Sequence, residues 1–234
     1  MNIVIVIPTY NEVDNIETLV KGIFKYNKGV SILFVDDNSP DGTAEKIRNM
    51  QTKYTNINLI TGEKKGLGEA YKRGFLYVKE KMKADYIIQM DADLSHNPKD
   101  IQRLINETPQ YDIVIGSRYI NGGSIPKDWG IYRKLNSKIG NTLTKFILKI
   151  PYKDCTAGFK IINTKCLPIN FIKNIRSNGY LFQVEILYYF YKKGYKVKEI
   201  PIHFSDRVNG KSKMGIQEAF DYMKHLKTVK RKYK

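Results

Sequence analysis

Five short apolar runs divide the first half of this chain at nearly regular intervals. They are residues 2–7, Ser31-Ile32-Leu33-Phe34-Val35, residues 57–60, Tyr86-Ile87-Ile88-Gln89-Met90 and Asp112-Ile113-Val114-Ile115-Gly116. Each reads as a buried strand. Helical patterns fill the gaps, near 15–26, 42–53, 67–82 and 98–107. Asn97-Pro98 is a start signal for the last of these, with an N-cap followed by proline at the first helical position. Strands alternating with helices predict an α/β fold in which helices flank a mainly parallel sheet. The length of 234 residues suits one such domain with a sizeable core.

The second half is less regular. Gly122-Gly123-Ser124-Ile125-Pro126 reads as a mobile loop, and a helix is predicted over about 133–149. A turn-rich segment follows from Pro151 to Gly158, then a helix over about 180–193 and a strand over about 196–203. We take residues 1–214 as a single domain whose second half completes a site. From about 215 to 234, Ile216, Phe220, Met223, Leu226 and Tyr233 recur at helical spacing among Lys224, Lys227, Lys230, Arg231, Lys232 and Lys234. That pattern suits either a basic amphipathic helix at a membrane surface or a surface helix packed on its own domain.

Asp91-Ala92-Asp93 ends the fourth apolar run. Ligands of open α/β sheets bind at the carboxyl ends of the strands. Two carboxylates one residue apart there offer hard oxygens to Mg²⁺ or Mn²⁺, usually shared with substrate phosphates. The net charge of +17 implies polyanionic company: nucleic acid, an anionic membrane or phosphorylated substrates. Cys155 and Cys166 make no disulfide framework, so a reducing compartment is expected. The N-terminus lacks a basic n-region and reads as the first strand, not a signal peptide. No stretch reaches the roughly 20 apolar residues of a membrane-spanning helix. His96, His203 and His225 are scattered and suggest no zinc site.

Further motifs gather around this pair. The first two strands end in Pro8-Thr9-Tyr10-Asn11-Glu12 and Asp36-Asp37-Asn38-Ser39-Pro40-Asp41-Gly42-Thr43, and Gly66-Leu67-Gly68 opens the third helix, where it would let backbone approach a ligand. With Asp91-Ala92-Asp93 these resemble the inverting glycosyltransferases of family 2, which have the GT-A (Rossmann-like) fold. Gly116-Ser117-Arg118-Tyr119, Tyr132-Arg133-Lys134, Asp154-Cys155-Thr156-Ala157-Gly158-Phe159, Gly179 to Glu185 and Asp206 to Met214 follow in order. The whole set is similar to the dolichol- or polyprenol-phosphate mannosyltransferases and covers about residues 3–214.

The resemblance implies transfer of mannose from GDP-mannose to polyprenyl or dolichyl phosphate. It implies nucleotide contacts at Pro8, Tyr10, Glu12, Val35 and Asp37, and metal–diphosphate contacts at Asp91 and Asp93 with the Ala92 backbone nearby. Some members carry a Gln ligand where this chain has Ser95, a weaker ligand, so either water completes the shell or the metal is held less tightly. It places Arg118, Arg133 and Arg207 near the phosphates, with Lys213 assisting. The chemistry is coherent: a divalent ion neutralises the leaving diphosphate, and a phosphate monoester acceptor, with a second pKa of about 6, needs positioning more than a base. Arginine's planar fork suits that task. Asp154 is then expected to orient an Arg or a sugar hydroxyl, the alternative being that it caps a turn. Gln183 and Glu185, two apart on a helix, cannot face the same way, so one would hold sugar hydroxyls while the other packs or is solvated.

Two other classes compete. A basic nucleic-acid-binding protein fits the charge, but it leaves the acidic strand ends unexplained and has no recognisable motif. A catalytically dead nucleotide-binding module conflicts with the intact Asp91/Asp93 pair and its cations. The same transfer from UDP-glucose is the nearest alternative. If the resemblance holds, the site faces the cytoplasmic leaflet, and the C-terminal helix or a membrane-anchoring subunit keeps the chain at the surface.

Overall fold

The computed structural model describes residues 1–206 and 216–233, with side chains in the final helix described from Tyr222 onward. Strands β1 (Ile3–Thr9), β2 (Val30–Asp36), β3 (Ile57–Thr61), β4 (Tyr86–Gln89), β5 (Ile113–Ser117), β6 (Lys160–Asn163) and β7 (Val197–Pro201) form one sheet in the order β3-β2-β1-β4-β6-β5-β7. Every neighbouring pair is parallel except the two made by β6, which runs opposite to β4 and β5. The helices are α1 (Val13–Tyr26), α2 (Thr43–Gln51), α3 (Leu67–Tyr77), α4 (Asp100–Glu107), α5 (Ile131–Leu148), α6 (Ile169–Asn174), α7 (Gly179–Lys192) and α8 (Ile216–Lys232).

The apolar runs are continuous because both faces of the sheet are covered. Ile5, Ile7, Ile32, Phe34, Ile88 and Val114 point to one side, into a core shared with Ile16, Leu19 and Ile23 of α1, Ile47 of α2 and Leu104 of α4. Val4, Val6, Leu33, Val35, Ile87 and Ile115 point to the other, against Tyr71 and Phe75 of α3 and Phe182 and Ile186 of α7. Gly74 sets the α3 approach: a Cβ there would lie 2.6 Å from the Val6 side chain and 2.9 Å from that of Val35.

The five expected strands and their intervening helices are present, with boundaries moved by at most two residues apart from the helix over 67–82. The Asn97 carboxamide accepts the Lys99 amide at 3.0 Å, as an N-cap does, although regular helix begins at Asp100. The single helix expected over 67–82 divides into α3 and a π-helical turn, Val78–Met82, which ends on Lys83 at φ 49°. Residues 122–126, expected to be mobile, are tied down. Ser124 donates its amide to Ile202, accepts the Phe204 amide and bridges His203 in parallel.

Strand β6 and helix α6 have no counterpart in the sequence reading. β6 is four residues long, and Lys160 breaks its apolar character. Only its position between β4 and β5 makes it a strand. The apolar side of α8 faces inward: Leu226 is fully buried, Val229 is 4% exposed, and Tyr222 meets the Thr144 hydroxyl of α5 at 2.7 Å. Lys230 donates to the Ile147 carbonyl and Lys232 to the Asn174 carbonyl. Of the two readings for residues 215–234, packing on the domain describes these side chains.

Candidate active site

The carboxyl ends of β1, β2 and β4 lie side by side, and their loops are laced together. Thr9 Oγ1 donates to Asp36 Oδ1 at 2.9 Å, and the Ser39 amide and hydroxyl bind the same carboxylate at 2.9 and 2.6 Å. Asp36, with no exposure, is thereby a staple between loops. The Asn11, Glu12 and Val13 amides donate to Ser39, Thr43 and Asp41. Burial works against the Asp41 charge, but hydrogen bonds from Thr43 and Val13 prevail and hold its carboxyl below the usual range.

The predicted nucleotide residues fall on this ledge, with one exception. Pro8 is half-buried at the end of β1. Tyr10 is 38% exposed, with the Lys64 ammonium 3.3 Å from its ring centroid. Glu12 accepts from Asn15 at 2.7 Å. Asp37 is paired with Arg73 at 2.7 Å. Val35 differs: its side chain is fully buried against α3, so only its backbone could reach a ligand. The Gly66-Leu67-Gly68 expectation also changes. The Gly68 amide binds Asn178 Oδ1 at 2.7 Å, and a Cβ on Gly68 would lie 2.7 Å from the Ser177 carbonyl. The glycines here admit the 177–178 loop, not a ligand.

Asp91-Ala92-Asp93 turns just beyond β4. Asp93 is 8% exposed, and its Oδ1 accepts both the Ser95 amide (3.1 Å) and the Ser95 hydroxyl (2.5 Å). Ser95 has no exposure, so its hydroxyl aims the carboxylate. Ala92 is 3% exposed. Asp91 accepts from the Tyr71 hydroxyl at 3.3 Å. Burial first, then Asp91 and Asp93, push the Tyr71 phenol well above its ordinary pKa, so it stays a donor. His96 accepts the Asp91 amide on Nδ1 at 3.2 Å and stacks on Phe159 at 4.9 Å, which fixes the turn. Gly158 lies so close that a Cβ there would be 3.3 Å from Asp91 Oδ2. The two aspartates fit a divalent cation by donor type. Among the described residues no group of three or more His, Cys, Asp or Glu could hold one unaided, so substrate oxygens would complete the shell.

The cations come from the other half. Arg118, just past β5, makes a bidentate pair with Asp154: Nε to Oδ2 at 2.7 Å and Nη2 to Oδ1 at 2.7 Å. The Arg118 amide adds a third bond to Asp154 at 2.9 Å, and Thr156 accepts from Nη2 at 3.0 Å. Burial opposes the guanidinium charge, but Asp154 outweighs it and raises the Arg118 pKa further. Asp154 is 1% exposed with both oxygens engaged, which is the geometry of orientation and not of a base. Its amide and the Ser117 hydroxyl both bind Glu199 Oε1, which anchors the arrangement to β7. Arg133 binds Asp206 at 2.9 Å and lies 3.9 Å over the Trp129 ring, whose Nε1 donates to the same Asp206 oxygen at 3.1 Å. Arg207 and Lys213 lie outside the described residues.

Gln183 and Glu185 do point apart. Glu185 faces α8, where it accepts from Lys232 at 2.6 Å and Tyr233 at 2.7 Å, so its role is structural. Gln183 is 2% exposed, and neither atom of its amide has a hydrogen-bond partner among the described residues. Gln89 is fully buried with its amide equally unmatched. Across the sheet from Gln89 stands Lys160, 1% exposed, with no hydrogen-bond acceptor among the described residues. Burial pulls its pKa down to about 7, against the opposing pull of Asp154, Cys155 and Asp91. Native structures rarely leave buried polar groups unmatched. The Gln183 and Gln89 amides are two such groups among the described residues. Tyr71, His96, Trp129, Lys160 and Glu199 were missed from sequence; only the position of Lys160 directly after Phe159 hinted at a role.

Comparison with known proteins agrees with this geometry. Residues 4–167 match the family Glycosyl transferase family 2. The chain is 35% identical over 216 residues to a polyprenol monophosphomannose synthase from Mycolicibacterium smegmatis, covering 90% of this chain and 80% of that one. It is 33% identical over 215 residues to an undecaprenyl-phosphate mannosyltransferase from Micrococcus luteus, covering 92% and 88%. Among solved structures, glucosyl-3-phosphoglycerate synthase from Mycobacterium tuberculosis with Mn²⁺ and UDP superposes with a TM-score of 0.67 at 15% identity, covering 99% of this chain and 79% of that one. A mannosyltransferase from Pyrobaculum calidifontis with GDP-Man and Mn²⁺ gives 0.59 at 15% identity, covering 90% and 58%. These structural likenesses show a shared GT-A fold.

Proposed function

The chain belongs to glycosyltransferase family 2, and from that premise we propose that it transfers mannose from GDP-mannose to a polyprenyl phosphate, with inversion and with a divalent cation. The observation that carries the reading is the division of one sheet edge into an acidic half, Asp91 and Asp93, and a cationic half, Arg118 held charged by Asp154. The names of the relatives at 33–35% identity supply the mannosyl group and the lipid phosphate. The complexes with UDP and with GDP-Man, at 15% identity, do not choose between donors.

In this reading Tyr10, Glu12 and Asp37 receive the nucleoside, while Asp91 and Asp93 hold Mg²⁺ or Mn²⁺. The cation, when bound, offsets charge on the departing diphosphate. Tyr71 and Ser95 keep the two carboxylates aimed. Arg118 and Arg133, with Arg207 and Lys213, hold the acceptor phosphate, which at neutral pH is already a nucleophile. Its oxygen attacks the sugar carbon from the face opposite the nucleotide, and no side chain has to remove a proton. In this reading Gln183, with both amide atoms unmatched among the described residues, and Lys160 meet sugar or phosphate oxygens. The acceptor's site opens toward the cytoplasmic leaflet, where sugar nucleotides are.

The test is transfer of radiolabelled mannose from GDP-mannose to a short polyprenyl phosphate with Mg²⁺, Mn²⁺ or EDTA, beside UDP-glucose. Metal-dependent mannosyl lipid is expected. A glucosyl product would overturn the donor, and undiminished transfer in EDTA would overturn the cation.

A further inference from the structure

Asp36 and Asp37 are adjacent at the end of β2, and the fold treats them differently. Asp36 is saturated: the Thr9 and Ser39 hydroxyls bind Oδ1 and the Ser39 amide binds Oδ2. Asp37, 7% exposed, is held on one oxygen. Arg73 Nη2 donates to its Oδ1 at 2.7 Å, while Oδ2 accepts no hydrogen bond among the described residues. Burying a carboxylate is costly unless its oxygens are paired. Asp37 is half-paired, so it is not a finished staple as Asp36 is. Nor is it the bidentate clamp that Arg118 makes with Asp154, because Arg73 Nε is buried without a partner among the described residues.

The packing of α3 delivers Arg73 to this place. Its neighbour Gly74 lets the helix touch Val6 of β1 and Val35 of β2, two residues before Asp37. The guanidinium then lies against Gly62, where a Cβ would sit 2.8 Å from Nη1 and 2.9 Å from Cζ. Nη1 extends toward the Glu63 carbonyl at 3.5 Å. The Gly62 amide is tied to β2 through the Asp36 carbonyl at 3.0 Å. Wedged between α3, β2 and the loop after β3, Arg73 gives Asp37 Oδ1 a fixed partner and Oδ2 a fixed direction.

Position indicates what Oδ2 would receive. Strand β1 separates β2 from β4, which puts Asp37 roughly 10 Å along the sheet edge from Asp91 at the usual strand spacing. A nucleoside diphosphate with its phosphates at Asp91 and Asp93 would cross that gap with its ribose and bring its base to Asp37. Guanine and uracil each present a ring N–H beside a carbonyl, whereas adenine has no ring N–H. A carboxylate oxygen with no partner of its own matches the first two.

We propose that Arg73 is a positioning residue for base recognition, fixing the Asp37 carboxylate so that Oδ2 accepts the ring N–H of guanine or uracil. The inference rests on the nucleotide reading of Asp37 given above and is independent of the sugar and the acceptor.

The experiment measures binding of GDP, UDP and ADP to the full chain with Mn²⁺. GDP or UDP should bind the wild type more tightly than ADP. Arg73→Met should weaken the tighter of the two about tenfold or more and leave ADP nearly unchanged. Arg73→Lys keeps a cation beside Asp37, stands in should the Met variant fail to fold, and should fall between. In an Asp37→Asn background, Arg73→Met should add no further loss, since the two residues act as one unit. In transfer, the donor KM should rise while kcat stays nearly constant. Unchanged affinity for GDP and UDP in Arg73→Met overturns the proposal. An equal loss for ADP overturns it too, assigning Arg73 to loop packing or Asp37 to the ribose. A wild-type chain that binds no nucleotide removes the nucleotide reading and this inference together, whereas a binding chain indifferent to Arg73 removes the inference alone.

Discussion

Lys160→Met should make this protein more stable at low pH and less active. In the folded chain the Lys160 ammonium is 1% exposed without a hydrogen-bond acceptor, and burial lowers its pKa from 10.5 to about 7. At about 1.4 kcal/mol per pH unit, that corresponds to about 5 kcal/mol against the charged form. The folded-state pKa lies below the unfolded one, so between about pH 7 and 10.5 the unfolded chain binds more protons and stability rises with pH. Below about pH 7 both states are charged at this position and the full cost is present. Methionine keeps the length and removes the charge. Urea unfolding should therefore show the variant more stable near pH 6 by up to about 5 kcal/mol. The gap should narrow by about 1.4 kcal/mol per pH unit above 7 and vanish near 10.5. Mannosyl transfer should fall at the same time, because the Lys160 charge acts on Asp91 and Asp154 of the candidate site. A stability gap independent of pH, or a variant weaker than wild type near pH 6, would refute the reasoning by showing that Lys160 is compensated in the folded state.

Other outcomes follow from the same geometry. Asp93→Ala should reduce transfer by about a thousandfold or more while leaving the circular dichroism spectrum intact, and Ser95→Ala should raise the Mn²⁺ concentration needed for half-maximal rate, both measured in the mannosyl assay. Asp154→Asn breaks a buried ion pair and strands Arg118, so chemical denaturation should show a loss of about 3–5 kcal/mol. Removing residues beyond 215 should destabilise the domain in thermal melts, because it uncovers the contacts of Leu226 and Val229 and leaves Glu185 buried without Lys232 and Tyr233. The Glu185 carboxyl, which burial alone would raise, is held below its usual range by Lys232, Ser177 and Tyr233. Its folded-state contribution is present above about pH 4.5 and should be lost in acid unfolding as pH falls through the lowered value.

The linear sequence determined the order of strands and helices, because burial on both faces turns each parallel strand into a continuous apolar run that is visible without coordinates. It also determined which residue types stand at the strand ends: Asp37, Asp91, Asp93 and Arg118 follow runs whose length and composition fix where the chain turns. Tertiary structure decided what depends on contacts between distant segments. β6 is a strand only because β4 and β5 flank Phe159-Lys160-Ile161-Ile162. Asp154 is an orienting group because Arg118, 36 residues earlier, occupies both its oxygens. Gly68 is close to Asn178, 110 residues away, and not to a ligand. Periodicity reveals that a helix has an apolar face, but only packing decides that the face of α8 is buried by the domain while Ile131, Tyr132 and Phe146 of α5 stay exposed.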